Sequence, residues 1–258
     1  MMDHMGAPES ENSAIADMPR GGFGASCLDR LLQTDRLEYL DRDNVDDAVK
    51  RQVIDALDWT GRVFGTHHRF ARQALDVIAD VPDPKILELG AGHGAVSRIL
   101  LAEHPTAEVT VTDVEPASVA RMAAGDLGDH PRATVRQMNA TAIDAPDKSY
   151  DLALFVLSFH HLPPGPASKV FAEGTRVADT LMIIDLSRPP PPLHVLRLAT
   201  MLPLAPFVPF VHDGVISSLR AYSASALRTL AKTADPAIHV RLSGGFIGPQ
   251  VVLASRRG

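Results

Sequence analysis

Residues 85–94 read Lys85-Ile86-Leu87-Glu88-Leu89-Gly90-Ala91-Gly92-His93-Gly94. A short apolar run closes on an acid and then breaks into glycines at every second position. This is the pattern of a buried strand ending in a tight turn, where residues without side chains let a ligand touch backbone N–H groups. With Ala95 the stretch also satisfies G-x-G-x-x-G/A, so glycine spacing alone does not separate a nicotinamide dinucleotide from S-adenosylmethionine. Glu88 separates them. A carboxylate two residues before the first glycine repels a pyrophosphate and suits a ligand that carries an ammonium and a sulfonium.

Outward from this turn, strand-like apolar runs alternate with helical windows. The runs are Lys85 to Leu89, Glu108 to Thr112, Ala133 to Met138, Tyr150 to Leu157 and Thr180 to Leu186. Helices are predicted from Ala95 to Ala102, near Ala117 to Ala124 and near Pro166 to Arg176. Such alternation predicts an α/β, Rossmann-like, mostly parallel sheet with helices on both faces. Ligands of these sheets bind beyond the carboxyl ends of the strands, where Glu88, Asp113, Asn139, His160, His161 and Asp185 all fall. Upstream, apolar residues at helical spacing between Asp43 and Val81 predict two helices, a cover spanning 29–82 in which Trp59 and Phe64 pack inward. Residues 1–28 have no apolar periodicity and read as a flexible leader. Downstream, Ser223 or Ser225 caps a helix to Ala234. Strands Ala237 to Leu242 and Gln250 to Ala254 then form an antiparallel pair at a sheet edge.

Segment 189–215 is an insertion of another character. Seven of the twenty prolines lie in 189–211, and Leu198 to Val211 contains no charge. Prolines 203, 206 and 209 forbid one regular helix through that run, which is too short to span a bilayer. It reads as a packed connection, a lid over an apolar substrate, or a membrane-contacting surface.

The formal net charge of −6 and the lack of a long basic run argue against nucleic acid as a partner. The lone Cys27 excludes an internal disulfide. With no signal-like or membrane-spanning stretch, a cytoplasmic address is expected.

Asp113 closes the second strand about twenty residues beyond the glycines, the reach at which an acid accepts ribose hydroxyl protons. Asn139-Ala140-Thr141 follows the third strand and offers an amide and backbone groups to the edge of a base. Tyr150-Asp151-Leu152 opens the fourth strand, which runs through Phe155 to His160-His161-Leu162. Taken together, Glu88-x-Gly90-x-Gly92-x-Gly94, Val111-Thr112-Asp113, Asn139-Ala140, Tyr150-Asp151-Leu152 and His160-His161-Leu162 resemble the class I S-adenosylmethionine-dependent methyltransferases, small-molecule type, over roughly residues 83–187. The resemblance implies a seven-stranded sheet with one antiparallel edge strand, in an S-adenosylmethionine-binding domain spanning 83–258. It implies that the turn Gly90-Ala91-Gly92 and Gly94 lies against the methionine part of the cofactor and that Glu88 orients its ammonium. Asp113, with Val114, holds the ribose; Asn139 and Ala140 meet the adenine; and the backbone near Phe155 meets the amino-acid end. Asn139 stands where many relatives carry Asp.

Methyl transfer from a sulfonium needs in-line geometry and exclusion of water, and a base only when the acceptor is a hydroxyl or an acidic carbon. His160 and His161, with Asp185 at the end of the next strand, are the expected catalytic group. Oxygen of a small apolar or aromatic metabolite is the expected acceptor, in the manner of secondary metabolism. Nitrogen and carbon stay open, as do a nicotinamide-dependent oxidoreductase and a catalytically silent relative. The missing Tyr-x3-Lys spacing counts against the oxidoreductase. His67-His68 is expected to pack or face solvent, and no local ligand spacing supports a metal. Gly214 is read as a turn and Arg220 as the partner of a carboxylate, and a pocket-lining place for Tyr222 stays open. Substrate identity and oligomeric state are not encoded in any motif.

Overall fold

The computed structural model describes residues 14–42, 44–245 and 248–256. Before the sheet, after a helical turn at residues 14–16, lie α1 (Cys27–Leu31), α2 (Asp47–Val63) and α3 (Thr66–Val77), with a 3-10 turn at Tyr39–Asp41. The sheet region follows as β1 (Lys85–Leu89), α4 (Ala95–Glu103), β2 (Glu108–Asp113), α5 (Pro116–Ala123), β3 (Ala133–Gln137) and β4 (Tyr150–Val156). After a 3-10 turn at Phe159–His161 come α6 (Pro164–Val177) and β5 (Ala178–Asp185). Helices α7 (Pro191–Met201), α8 (Pro209–Arg220) and α9 (Ala224–Ala234) and strands β6 (Ile238–Gly244) and β7 (Gln250–Arg256) complete the chain.

The seven strands are ordered β3-β2-β1-β4-β5-β7-β6. β1 pairs in parallel with β2 and β4, and β4 with β5, while β7 runs antiparallel to both β5 and β6. The single reversed strand therefore lies one place in from the edge, which β6 occupies. Strand order reverses between β1 and β4, so the ends of these two strands frame the crevice in which open α/β sheets bind ligands.

Period-two alternation explains why both faces are covered. Leu87, Leu89, Ala153, Phe155, Leu181, Ile183, Val252 and Ala254 face one core with α6 and α9. Ile86, Leu152, Leu154, Met182, Ile184 and Val251 face the other, against Phe70, Ala71 and Ala74 of α3 and Val96 and Leu100 of α4. The Ser223 hydroxyl accepts from the Ala226 N–H and caps α9, as its sequence position predicts.

Four expectations are corrected. The leader is not free from residue 14 onward, because Ile15 and Met18 are buried in the α6–α9 core and Arg20 is buried beside them. Residues 1–13 lie outside the described part. Trp59 and Phe64 point outward, 58% and 68% exposed, since the buried stripe of the cover passes through Val53 instead. Gly214 sits inside α8 rather than in a turn; the prolines interrupt the uncharged run only between Met201 and Pro209, leaving a helix on either side. Tyr222 is a core residue, its ring against Phe159 and its hydroxyl donating to the Leu162 carbonyl at 2.7 Å.

Candidate active site

Gly90, Gly92 and Gly94 all take positive φ. At Gly92 (φ +60°) a Cβ would meet nothing within 4 Å, so the backbone there borders open space. A Cβ on Gly94 would instead fall 2.4 Å from Leu127 Cδ1, and one on Gly90 2.6 Å from Phe155 Cε2. One glycine keeps space for a ligand, while the two others let the turn pack on its own walls. Ala91 N–H donates to the Thr112 carbonyl (2.9 Å), which ties the turn to β2.

Asp113 ends β2. Its Oδ2 accepts from Gly92 N–H at 2.8 Å and its Oδ1 from Glu115 N–H at 2.9 Å. The carboxylate is thus fixed directly beside the glycine turn. Glu88 is buried under that turn and accepts from the Ser97 hydroxyl of α4. Burial pushes its carboxyl up to about 7, against the Ser97 hydrogen bond, and the neighbouring Asp113 adds to the rise. A buried acid beside the open backbone of Gly92 suits a cationic ligand group and disfavours a phosphate. These features fit S-adenosylmethionine: Glu88 would face its cationic end, Gly92 its close approach and Asp113 its ribose.

Val114 is exposed beyond β2, and Gln137 Nε2 donates to its carbonyl at 2.9 Å. Asn139 is also exposed, and its Oδ1 already accepts from both the N–H (2.9 Å) and the hydroxyl (2.8 Å) of Thr141. An acceptor role toward an adenine amino group would compete with that Asx turn, which leaves the Asn139 amide N–H2 and the Ala140 backbone as the groups on offer. Phe155 is buried on β4 against Phe159, walling Gly90.

The histidines divide. His160 is buried, with Nδ1 2.7 Å from Asp185 Oδ1 and its backbone N–H donating to Asp185 Oδ2 at 2.6 Å. Its Nε2 lies 3.3 Å from Glu38 Oε1, within ion-pair range but off line for a hydrogen bond, and has no hydrogen-bond partner among the described residues. Burial would lower its pKa, but Asp185 and Glu38 outweigh burial and lift it to about 9. In this arrangement His160 is an imidazolium locked between two carboxylates. It is not a free base, and both oxygens of Asp185 are engaged, with its ring and backbone N–H and with the Leu186 N–H. His161 is half-buried, with Nδ1 2.9 Å from Asp41 Oδ2 and Nε2 3.8 Å from Glu38 Oε2. If Nδ1–H donates to Asp41, Nε2 carries the lone pair.

The pair stands beside the glycine turn because Ser158, just before it, donates to the Gly90 carbonyl at 3.2 Å. Arg20 holds the same segment from the N-terminal side, donating to the carbonyls of His160 (3.0 Å) and Leu162 (2.9 Å).

Sequence reading missed Glu38, Asp41, Asp213 and Ser217. Glu38 is buried and its Oε1 accepts from the Ser217 hydroxyl at 2.6 Å; despite burial, His160, His161 and Ser217 hold its carboxyl below the usual range. Asp213 Oδ1 accepts from Tyr39 N–H at 2.8 Å, and Arg220 Nη1 stands 3.6 Å from Asp41 Oδ2, the carboxylate partner expected for it. Arg188 donates to Asp29 Oδ1 (2.7 Å), joining α1 to the end of β5. The only hint in the sequence is a set of acids in an otherwise unpatterned linker before α2. His67 and His68 lie apart from this cluster: His67 meets the His93 ring edge-on at 6.1 Å, and His68 Nδ1 is 2.9 Å from Glu103 Oε1.

Residues 86–180 match a protein family described as "Methyltransferase domain". A curated relative, the demethylmenaquinone methyltransferase of Thermus thermophilus, is 26% identical over 166 residues, covering 62% of this chain and 72% of that one. Among solved structures, the plantazolicin methyltransferase BpumL in complex with SAH superposes with a TM-score of 0.61 at 12% identity, over 98% of this chain and 100% of that one. A sarcosine dimethylglycine methyltransferase from Galdieria sulphuraria, described as putative, gives 0.50 at 21% identity over 70% of this chain; the match spans only 64% of that protein's length. These two superpositions establish a shared fold. No helix among the described residues is long and apolar enough to cross a membrane.

Proposed function

Residues 86–180 are a methyltransferase domain of the class I, S-adenosylmethionine-dependent kind, and on that footing we propose that the chain methylates an oxygen of a small apolar or aromatic metabolite. S-adenosylmethionine supplies, when bound, a methyl group already activated on a sulfonium, so what remains for the chain is to bind, orient and deprotonate. Glu88, the Gly90–Gly94 turn and Asp113 take the cofactor. The observation that carries the acceptor reading is the His161 imidazole: half-open, fixed by Asp41 at 2.9 Å, and set on the same strand ends as the glycine turn. In this reading its Nε2 takes the proton of an acceptor hydroxyl, while His160 and Asp185 hold the segment in place.

An apolar acceptor is supported by the surroundings. Trp59, Val63 and Phe64 on α2 are exposed, and α2 packs against α8, which follows the exposed Leu202, Leu204 and Phe207. We read these exposed apolar side chains as a surface that an apolar acceptor would use. The name of the Thermus relative points toward a ring substrate, that of the Galdieria protein toward an amine. Labelled S-adenosylmethionine with a panel of hydroxyarenes and amines tests the proposal. The expected result is a product one methyl heavier from hydroxyarenes, with turnover falling by roughly 10²-fold in His161→Ala. Methylation of amines alone, or full activity in that variant, would overturn the oxygen and base assignments.

A further inference from the structure

We propose that Glu38, His160 and His161 form a binding site for one divalent transition-metal ion of the zinc type. One donor atom from each of the three lies within 4.8 Å of the others. The Glu38 oxygens stand 3.3 Å from His160 Nε2 and 3.8 Å from His161 Nε2. Metal–ligand bonds near 2.0–2.1 Å at tetrahedral angles place ligand atoms about 3.4 Å apart; the contact of Glu38 Oε1 with His160 Nε2 has that spacing, and His161 Nε2, 3.8 Å from Glu38 Oε2, needs a small inward shift of its half-buried ring to join it.

What surrounds the donors points the same way. Metal-binding histidines characteristically give their second ring N–H to a carboxylate, which fixes the tautomer and aims the free nitrogen at the ion. Both do so here: His160 Nδ1 faces Asp185 Oδ1 at 2.7 Å and His161 Nδ1 faces Asp41 Oδ2 at 2.9 Å. Glu38 is steadied by the Ser217 hydroxyl at 2.6 Å. His160 Nε2 is buried and aimed at Glu38 Oε1, 3.3 Å away, without a well-directed hydrogen bond, and an ion entering there would replace the proton that the imidazolium carries in its absence. Three carboxylates, Glu38, Asp41 and Asp185, face the two imidazoles, and of the arginines Arg220 stands 3.6 Å from Asp41, so a cation replacing the His160 proton keeps the cluster's charge balanced.

Two imidazoles and one carboxylate select a borderline ion such as Zn²⁺, Co²⁺ or Ni²⁺ over Mg²⁺ or Ca²⁺, which prefer all-oxygen shells. Three protein ligands leave a coordination position for an outside oxygen, the donor count of catalytic rather than closed structural sites. With an ion present His161 Nε2 becomes a ligand and no longer serves as the base. The site itself rests on donor geometry alone and stands or falls separately from the transfer reading.

The test is Co²⁺ uptake by the chelator-stripped full-length protein, followed by visible absorption and metal analysis, without any activity measurement. The expected result is one ion per chain with the intense visible bands of a tetrahedral nitrogen–oxygen site. Affinity should fall by about 100-fold or more in Glu38→Gln and His161→Ala, and by about 10-fold or more in Asp41→Asn. His68→Ala, on the far α3–α4 contact, should bind as the parent does. Circular dichroism and melting verify folding, and the half-exposed His161 and Asp41 variants decide the matter if Glu38→Gln fails to fold. No uptake by the parent, or equal uptake in the folded His161→Ala and Asp41→Asn variants, would overturn the proposal and leave the cluster as a closed ion-pair network.

Discussion

Replacing Glu88 by Gln should stabilise the cofactor-free protein at alkaline pH while weakening its grip on S-adenosylmethionine. The introduced amide oxygen can still accept the Ser97 hydroxyl, and the side chain keeps its volume. What disappears is a titration. In the folded chain the carboxyl has a pKa of about 7, against 4.5 for an unperturbed glutamic acid. Because the folded value is the higher, the unfolded chain surrenders this proton first as pH rises. The stability associated with the neutral acid is therefore complete below about 4.5, drains away between about 4.5 and 7, and is gone above. At 1.36 kcal/mol for each tenfold change, the gap is worth roughly 3 kcal/mol for this fully buried group. For a chain of this size that corresponds to about 6–10 °C in melting temperature. The assay is a pair of thermal melts across pH 5 to 8.5, parent against Glu88→Gln, with calorimetric titration of S-adenosylmethionine at pH 8. The variant curve should be flatter with pH by about that amount, and its affinity at least 10-fold lower, since a cationic ligand loses its counter-charge. Parallel pH profiles, or equal affinities, would refute the argument that Glu88 is held in an unfavourable ionisation state for the sake of a cation.

The glycine turn allows a second contrast: Gly92→Ala should cost only about 1 kcal/mol of stability for its positive φ yet abolish measurable cofactor binding, whereas Gly94→Ala should chiefly destabilise the fold by driving a methyl into Leu127. Chemical denaturation and calorimetry on both variants separate the effects, and cofactor binding by Gly92→Ala at parental strength would show that no ligand approaches there. Asp185→Ala should lower stability by about 3–5 kcal/mol, because it strands a buried imidazolium; a loss below 1 kcal/mol in denaturant melts would mean the pair carries no structural weight. Amide hydrogen exchange should be fastest at 202–208, between two packed helices, and slow there when substrate and cofactor are both present. Equal protection across α7, this turn and α8 would argue against a moving cover.

The sheet was legible because the strands carry local patterns: an exposed Lys85 followed by four buried residues and a glycine turn leaves little choice at β1, and the Ser223 cap and the late strand pair were equally local. The position of the reversed strand was not, since pairing β7 between β5 and β6 depends on long-range register such as Asp185 against Gln250. The glycine turn and the carboxylates of Glu88 and Asp113 beside it could be placed from spacing for the same reason that β1 could. The acceptor half could not. His160 and His161 declare themselves at the end of β4, but the contacts that orient their rings come in part from Glu38 and Asp41, in an unpatterned linker held down by contacts to α8. Residues 14–28 were misread for a related reason: Ile15 and Met18 form too short an apolar pattern to register, and what fixes them is a core assembled from α6 and α9. Trp59 and Phe64 erred in the other direction, because apolar spacing on α2 does not reveal which stripe meets the body of the protein.

The central claim is that a positively charged methyl donor, rather than a phosphate-bearing dinucleotide, rests on the turn after β1. Calorimetric titration of the full chain with S-adenosylmethionine and, separately, with NADH and NADPH tests it most directly. The account predicts one S-adenosylmethionine bound per chain and no heat from either dinucleotide. Saturable binding of NADH or NADPH with none of S-adenosylmethionine would contradict it.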